Sequence, residues 1–133
     1  MPRNHPHSLR RPVRKPAPEQ RHIDGLSARA HAAVRSAEDW YFWPNATADS
    51  LDAYRLFLKR PGRIIRGGPD VYDAGDARND LHEILLRLPP VPRRELERLL
   101  EPLDAEYLRR TLPAQWWSEY GAGRWWYQRD AGL

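Results

Sequence analysis

Apolar residues recur every three or four positions in four stretches of this 133-residue chain, which is the spacing of one face of an α-helix. The first stretch has apolar residues at positions 26, 30, 33, 34, 37, 40 and 41, and it predicts an amphipathic helix over residues 25–42. Asp24 or Ser27 can cap its start. Pro44 ends it, because the residue before a proline is disfavoured in the helical conformation.

A second helix is predicted over residues 48–59, with Asn45 or Thr47 as its N-cap. Pro61 and Gly62 follow and stop it. Its apolar residues share one face: Leu51, Tyr54, Phe57 and Leu58.

Two more helices are predicted in the leucine-rich part of the chain. The third covers residues 76–88 and can be capped by Asp73 or Asp76. The fourth starts near Pro92, and its leucines keep their phase across Pro102, which indicates a kinked helix or two helices nearly end to end. Because only a short proline-rich turn joins them, the third and fourth helices predict an αα-hairpin.

Two other segments are compatible with short β-hairpins. Residues 63–72 place β-branched residues and Tyr72 on either side of a Gly-Gly pair. Residues 115–128 place two Trp-Trp pairs around Gly-Ala-Gly, in a register that sets position 117 opposite 127. The predicted fold class is therefore mainly α, a small domain of about four helices with these hairpins as additions.

The charge of the chain is concentrated at its N-terminus. Residues 1–22 are rich in proline and carry a net charge of +5, whereas the remaining residues sum to −1. A proline-rich, charged segment with few large apolar residues cannot bury enough surface to become ordered. We therefore predict a disordered basic arm at 1–22 and one domain over 23–133. The arm is either a tether for nucleic acid or another anionic surface, or a leader without a role of its own.

The composition excludes several kinds of site and segment. Without cysteine the chain cannot form disulfides, cysteine zinc sites or a cysteine nucleophile. The longest aromatic and apolar run, residues 40–43, is far shorter than the ~20 residues of a membrane span. The N-terminus lacks the apolar stretch of a secretory signal. These features predict a cytoplasmic protein without membrane contact.

Three motifs resemble catalytic or metal-binding sequences but lack essential residues. His82 and Glu83 begin a zinc-protease pattern, yet position 86 is Leu where the second histidine is needed. Gly62 and Gly67 have the spacing of a phosphate loop without its Lys-Ser/Thr. The aspartates between positions 70 and 80 do not follow the ligand order of a calcium loop. We predict no catalytic residue, no metal site and no cofactor.

Two groups of residues are candidates for binding. The first is a basic loop whose arginine forks suit phosphate oxygens, and the alternative is a solubilising loop beside a helix C-terminus. Its members are Lys59, Arg60, Arg63 and Arg66. The second is the pair of Trp-Trp steps near the C-terminus, which can fill the core, contact a protein partner, or stack on bases or sugars. Its members are Trp116, Trp117, Trp125 and Trp126.

The predicted helices supply mainly alanine and leucine, so the core needs additional bulk. The aromatic run at 40–43 and the aromatic residues at 116–127 are both expected to supply it. An isolated two-stranded hairpin is at best marginally stable, so one face of 115–128 should dock on the helices or on a partner.

We predict a non-enzymatic protein-binding or adaptor module. The alternative is a nucleic-acid-associated protein that uses the arm and the 59–66 loop.

Overall fold

The protein is mainly helical, as its sequence predicts. The computed structural model describes residues 18–62, 71–113 and 123–131. Most of the predicted arm, most of the 63–72 segment, and Arg63, Arg66, Trp116 and Trp117 lie outside these residues. The elements in chain order are α1 (Ala28–Tyr41), α2 (Ala46–Lys59), α3 (Ala74–Leu85), α4 (Pro90–Arg109), β1 (Thr111–Pro113), a 3₁₀ helix (Trp125–Gln128) and β2 (Arg129–Ala131).

The four helices share one hydrophobic core. α2 packs chiefly on α3, while α1 packs on α4. α3 and α4 follow each other through residues 86–89 and form the predicted αα-hairpin. The core residues come from every helix, and the largest of them are Val34, Leu51, Tyr54, Leu81, Ile84, Leu96, Leu100 and Tyr107. None of the helices in the described part of the chain is both long and apolar enough to cross a lipid bilayer.

The start of α1 is tied to α4. Ser27 is the N-cap, and its Oγ accepts a hydrogen bond from the Ala30 amide at 3.1 Å. The Glu95 carboxylate accepts from both the backbone amide and the hydroxyl of Ser27, at 2.8 and 3.0 Å, and these bonds lower its pKa. Just before the cap, Gly25 has a φ of +96°, and a Cβ there would come within 2.5 Å of a methyl of Leu99. Only glycine fits this turn.

The N-termini of α3 and α4 are built differently. The side chain of Asp73 accepts from the Asp76 amide at 3.1 Å, and Asp76 accepts from the Asp73 amide at 2.9 Å, which is a capping box. α4 begins at Pro90, two residues before the predicted start, and continues unbroken to Arg109 with Pro102 inside it. Pro102 is exposed, so the carbonyl that loses its amide partner can be hydrated.

A buried ion pair lies where α2, α3 and α4 meet. The Arg78 Nε donates to Asp104 Oδ1 at 2.9 Å, and the Tyr54 hydroxyl donates to the same oxygen at 2.8 Å. The Arg78 side chain is only 8% exposed. Burial and the Asp104 charge raise the pKa of Tyr54 well above its ordinary value, so this hydroxyl stays protonated and keeps donating.

The C-terminal segment differs from the predicted hairpin over 115–128. The ladder joins Thr111–Pro113 to Arg129–Ala131 in antiparallel register, and residues 125–128 form a 3₁₀ helix. Tyr127 therefore cannot take its predicted place in a strand opposite position 117. The 3₁₀ turn allows Trp126 to enter the core while its neighbours Trp125 and Tyr127 remain partly buried.

The last residues of the predicted arm pack on the domain. The Gln20 side chain donates to the His31 carbonyl at 2.7 Å. The Arg21 amide donates to Asn45 Oδ1 at 2.9 Å, and its guanidinium contacts the carboxylates of Asp49 and Asp52. Within the described residues, Gln20 and Arg21 of the predicted arm therefore contact the helices.

Candidate functional site

The last turn of α1 turns its aromatic residues away from the core. Trp40 is 81% exposed and Tyr41 is 63% exposed. The core-facing positions of α1 are Ala30, Val34 and Ala37. The expectation that the aromatic run at 40–43 fills the core is thus wrong for Trp40, Tyr41 and Trp43, and only Phe42 packs against it.

A buried carboxylate lies near the C-terminal end of α1. Glu38 is 3% exposed and accepts hydrogen bonds from the amides of Asn45 and Thr47, at 3.1 and 2.8 Å. These amides belong to the first turn of α2, whose N-cap Asn45 has a left-handed φ of 64° and makes no side-chain cap bond. Because Glu38 performs the capping from α1, it fixes the corner between the two helices and the direction of the last turn of α1.

The last turn of α1, with Trp40 and Tyr41, forms one side of a groove with a volume of about 430 Å³. The opposite side comes from the α3–α4 connection, and alanines of α1 form the floor. Small side chains on the floor leave room between the Trp40 ring and the proline across from it. The lining residues are Ala33, Ser36, Ala37, Trp40, Tyr41, Arg87 and Pro89.

Arg87 holds the two sides of this groove together. Its Nη1 donates to the Glu83 carbonyl at 2.8 Å and to the Glu83 carboxylate at 2.9 Å. Its guanidinium carbon lies 4.8 Å from the centre of the Tyr41 ring and 5.3 Å from that of Phe42, as in cation–π contacts. The bond to Arg87, followed by that to Arg124, lowers the pKa of Glu83. Arg87 is therefore ion-paired and in contact with two aromatic rings, and it shares the Glu83 carboxylate with Arg124.

The groove is chemically suited to binding. Its polar lining groups are the hydroxyls of Ser36 and Tyr41 and the Arg87 guanidinium, and the rest of the lining is apolar or aromatic. The α3–α4 connection and the first turn of α4 also expose apolar side chains, with Leu86 54% and Val91 42% exposed. Exposed aromatic residues are enriched at surfaces that meet another polypeptide.

Of the Trp residues predicted to bind, the structure describes the second pair. Trp126 is 2% exposed, and its ring stacks under the Arg78 guanidinium at 4.4 Å. Its carbonyl accepts from the Tyr107 hydroxyl at 2.9 Å. Trp125 is partly buried and meets the Tyr107 ring edge-on at 5.5 Å. Both indoles thus pack against the helices, which is the docking that the unstable isolated hairpin requires.

The described half of the basic loop lies at the end of α2. Lys59 and Arg60 are exposed, and the Arg60 guanidinium lies 5.3 Å from the centre of the Phe57 ring. Arg110 donates to the carbonyls of Leu58, Arg60 and Gly62, and so satisfies the C-terminal carbonyls of α2. The structure does not bring Lys59 and Arg60 together with Trp125 and Trp126 into one surface. Whether the loop contacts anions stays a prediction.

Sequence reasoning missed Trp40, Tyr41 and Arg87 as functional residues. A signal for two of them was present. Successive residues of a helix point about 100° apart, so four consecutive aromatic residues cannot all face one core. Arg87 had no such signal, because its contact with Tyr41 depends on how α3 packs beside α1.

Comparison with known proteins adds no family to this description. No protein-family model matches the chain, and no curated protein or solved structure is detectably similar to it. No group of three or more His, Asp or Glu side chains within residues 18–62, 71–113 and 123–131 is arranged to hold a metal ion. The proposals that follow therefore depend on the geometry of the groove.

Proposed function

We propose that this protein is a non-enzymatic protein-binding module whose working surface is the groove between α1 and the α3–α4 connection. One observation carries the proposal: Trp40 lines this groove and is 81% exposed. Tryptophan and tyrosine are enriched among the residues that dominate binding energy at protein interfaces. A tryptophan that the core does not use is available to a partner.

The energy available at this surface is adequate for specific binding. Burying one aromatic side chain removes ~150 to 250 Å² from water, which corresponds to about 4 to 6 kcal/mol of gross transfer free energy. Trp40 and Tyr41 lie side by side, and the contact with Arg87 already restricts the Tyr41 ring. Because less side-chain freedom remains to be lost, more of the gross energy contributes to affinity.

The form of the groove favours a polypeptide over a small molecule. Small-ligand sites usually enclose ~70 to 90% of their ligand, whereas the rings of Trp40 and Tyr41 are open to solvent. A nucleic acid would need free cations beside the stacking rings, but Arg87 is paired with Glu83. An extended peptide can lie on the alanine floor with an apolar side chain against Trp40.

A selection experiment tests this function. A displayed library of random peptides is selected on the full chain, and binding of the enriched peptides is then measured to Trp40→Ala and to Trp43→Ala. Trp43 is the matched control because it is 46% exposed, lies outside the groove lining and donates to Asp49 at 3.0 Å. We expect Trp40→Ala to weaken binding at least about tenfold, or ~1.4 kcal/mol, and Trp43→Ala to have little effect. Peptides that bind all three chains equally would contradict the proposal.

A second candidate function is contact with nucleic acid. It is favoured by the exposure of Lys59 and Arg60 and by the five Lys/Arg without any Asp/Glu in residues 1–17. Binding of a fluorescent single-stranded DNA, measured against salt concentration, tests it. Phosphate neutralisation predicts a linear loss of log affinity with log salt, and a smaller slope for Lys59→Gln/Arg60→Gln. Binding that is absent or independent of salt rejects it.

The cytoplasm is the compartment that fits both candidates. A chain without cysteine requires no oxidising environment to fold. The partner of the groove is then another cytoplasmic polypeptide.

A further inference from the structure

The groove and the tryptophan beside it are complementary in shape. Trp40 extends from the exposed side of α1, and the floor next to it is formed by Ala33 and Ala37. With a volume of about 430 Å³, the groove has room for one indole ring. A surface that carries both a protruding ring and a recess for such a ring can pair with a copy of itself about a two-fold axis.

The exposed apolar surface around the groove is large enough for the centre of a small interface. Trp40 and Tyr41 together leave roughly 200 to 350 Å² in contact with water. Leu86 and Val91, next to the other side of the groove, are also exposed. Standard interfaces bury roughly 800 Å² per partner, and transient ones bury less. A dimer formed through this surface is therefore expected to separate on dilution.

Two opposite charges lie on the flank of α1 that faces away from the groove. Arg35 and Asp39 line a separate shallow depression, and Ser36 and Trp40 lie between them and the alanines of the groove floor. Both charged residues are exposed, and neither forms an ion pair with another described residue. They are about one helical turn apart, so a positive and a negative charge follow each other along the helix axis.

This order of charges is complementary to itself when two copies of α1 run antiparallel. With the two-fold axis at the level of residue 37, position 35 of one copy lies opposite position 39 of the other. Arg35 of each copy then faces Asp39 of the other copy, so the dimer contains this contact twice. A parallel pair would instead set two arginines and two aspartates opposite each other. Complementary charges of this kind favour the antiparallel arrangement and fix its register.

We propose that the partner of the groove is a second copy of this chain, paired through antiparallel α1 helices. In this register Trp40 of each copy lies at the level of residue 34 of the other copy, beside the alanines of its groove floor. The two indoles are about 9 Å apart along the helix axis, so both can be accommodated. The proposal rests on the proposed function and names its partner. Dilution opens the groove, so the solvent exposure of Trp40 is measured on dilute protein.

Sedimentation equilibrium of the full chain measures the self-association. We expect the mass to rise from one chain towards two between about 1 μM and 1 mM, as for a dissociation constant of micromolar order. Trp40→Ala should stay a single chain over this range, whereas Trp43→Ala, outside the groove, should associate like the wild type. A wild-type chain that stays single, that grows beyond two chains, or that associates equally with Trp40→Ala overturns the proposal.

Charge exchange on the other flank tests the antiparallel register and leaves the apolar surface intact. Arg35→Asp sets two carboxylates opposite each other at each contact, and Asp39→Arg sets two guanidiniums there, so each variant alone should associate at least about tenfold more weakly. An equimolar mixture of the two variants restores opposite charges at both contacts and should associate like the wild type. A mixture that associates as weakly as its components contradicts the antiparallel pairing.

A library-selected peptide separates this inference from the proposed function. If the second copy occupies the groove, a saturating amount of the peptide should return the concentrated chain to the mass of a single chain. Association that the peptide leaves unchanged places the contact outside the groove and contradicts the proposal. A chain that never associates but binds the peptide through Trp40 rejects the dimer and leaves the function intact. Association that depends on Trp40, without binding of any selected peptide, supports the dimer and rejects the recognition of other polypeptides.

Discussion

The last turn of α1 and the 3₁₀ helix both carry consecutive aromatic residues, but they use them in opposite ways. At the 3₁₀ helix, Trp126 is 2% exposed, its ring lies against the Arg78 guanidinium, and its carbonyl accepts a hydrogen bond from the Tyr107 hydroxyl. At the end of α1, Trp40 is 81% exposed and faces a groove. The difference lies in the packing, because both regions have an arginine over an aromatic ring but only the Trp126 ring is covered by the rest of the domain. Aromatic content alone does not distinguish a core from a binding surface.

The contrast predicts different costs for removing the two indoles. Trp126→Ala should lower the free energy of unfolding by ~3 to 5 kcal/mol, because it deletes a fully buried ring and leaves a cavity. Trp40→Ala should change it by no more than about 0.5 kcal/mol, as for most surface substitutions. Urea denaturation of both variants measures the difference. Equal losses would contradict the assignment of one residue to the core and the other to the surface.

The ion pair between Arg78 and Asp104, beside Trp126, should be costly to break, as buried ion pairs are. Asp104→Ala leaves the Arg78 guanidinium, 8% exposed, without its carboxylate, and should cost ~3 kcal/mol. The control is Glu106→Ala, which breaks the exposed pair with Arg109 and should cost less than about 1 kcal/mol. Thermal unfolding of the two variants compares them. A cost at Asp104 no larger than at Glu106 would mean that Arg78 is hydrated in solution.

Glu38 should set the geometry of the exposed region. Glu38→Ala leaves the amides of Asn45 and Thr47 buried without acceptors and should cost about 2 kcal/mol. Glu38→Gln keeps one oxygen acceptor and should lose less. Denaturation measures the stability of each variant, and the affinity for a selected peptide reports whether the groove keeps its geometry. If Glu38→Ala destabilises the fold without weakening peptide binding, the corner does not direct Trp40.

The smallest expected effect is a pH dependence of the free energy of unfolding. It arises in the buried region around Trp126. Burial, followed by the charges of Arg124 and Arg78, lowers the pKa of His82, whose ring lies 4.9 Å from that of Trp126. The unfolded chain then binds the proton more readily, so stability should fall as pH drops through about 6.5 and level off below the folded pKa. His82→Gln should flatten this window in pH-dependent unfolding. An unchanged slope in His82→Gln would assign the pH dependence to other groups.

Local signals in the sequence were sufficient for much of the fold. Ser27 and Asp73 are each one of the two residues predicted as caps of their helices, and α2 ends before Pro61 as expected. These features depend on residues that are close in sequence. The pairing of 111–113 with 129–131 and the capping of α2 by Glu38 join residues that are farther apart in sequence, and no local pattern announces them.

The candidate site was harder to predict for the same reason. An amphipathic pattern assigns Trp40 and Tyr41 to the apolar stripe of α1, and only the packing of α1 beside the α3–α4 connection shows that this stripe extends past the core. The reverse holds at the C-terminus, where the need of an isolated hairpin for a docking surface correctly indicated that some of its tryptophans are buried. The need of the core for aromatic bulk was thus met by Trp126 and not by Trp40, Tyr41 or Trp43.

The central claim is that Trp40 is available for binding and Trp126 is part of the core. A soluble paramagnetic agent tests it in one spectrum, by broadening the indole N–H signals of exposed tryptophans in the full chain. We predict strong broadening for Trp40 and a sharp signal for Trp126. A protected Trp40 or a broadened Trp126 would contradict the account.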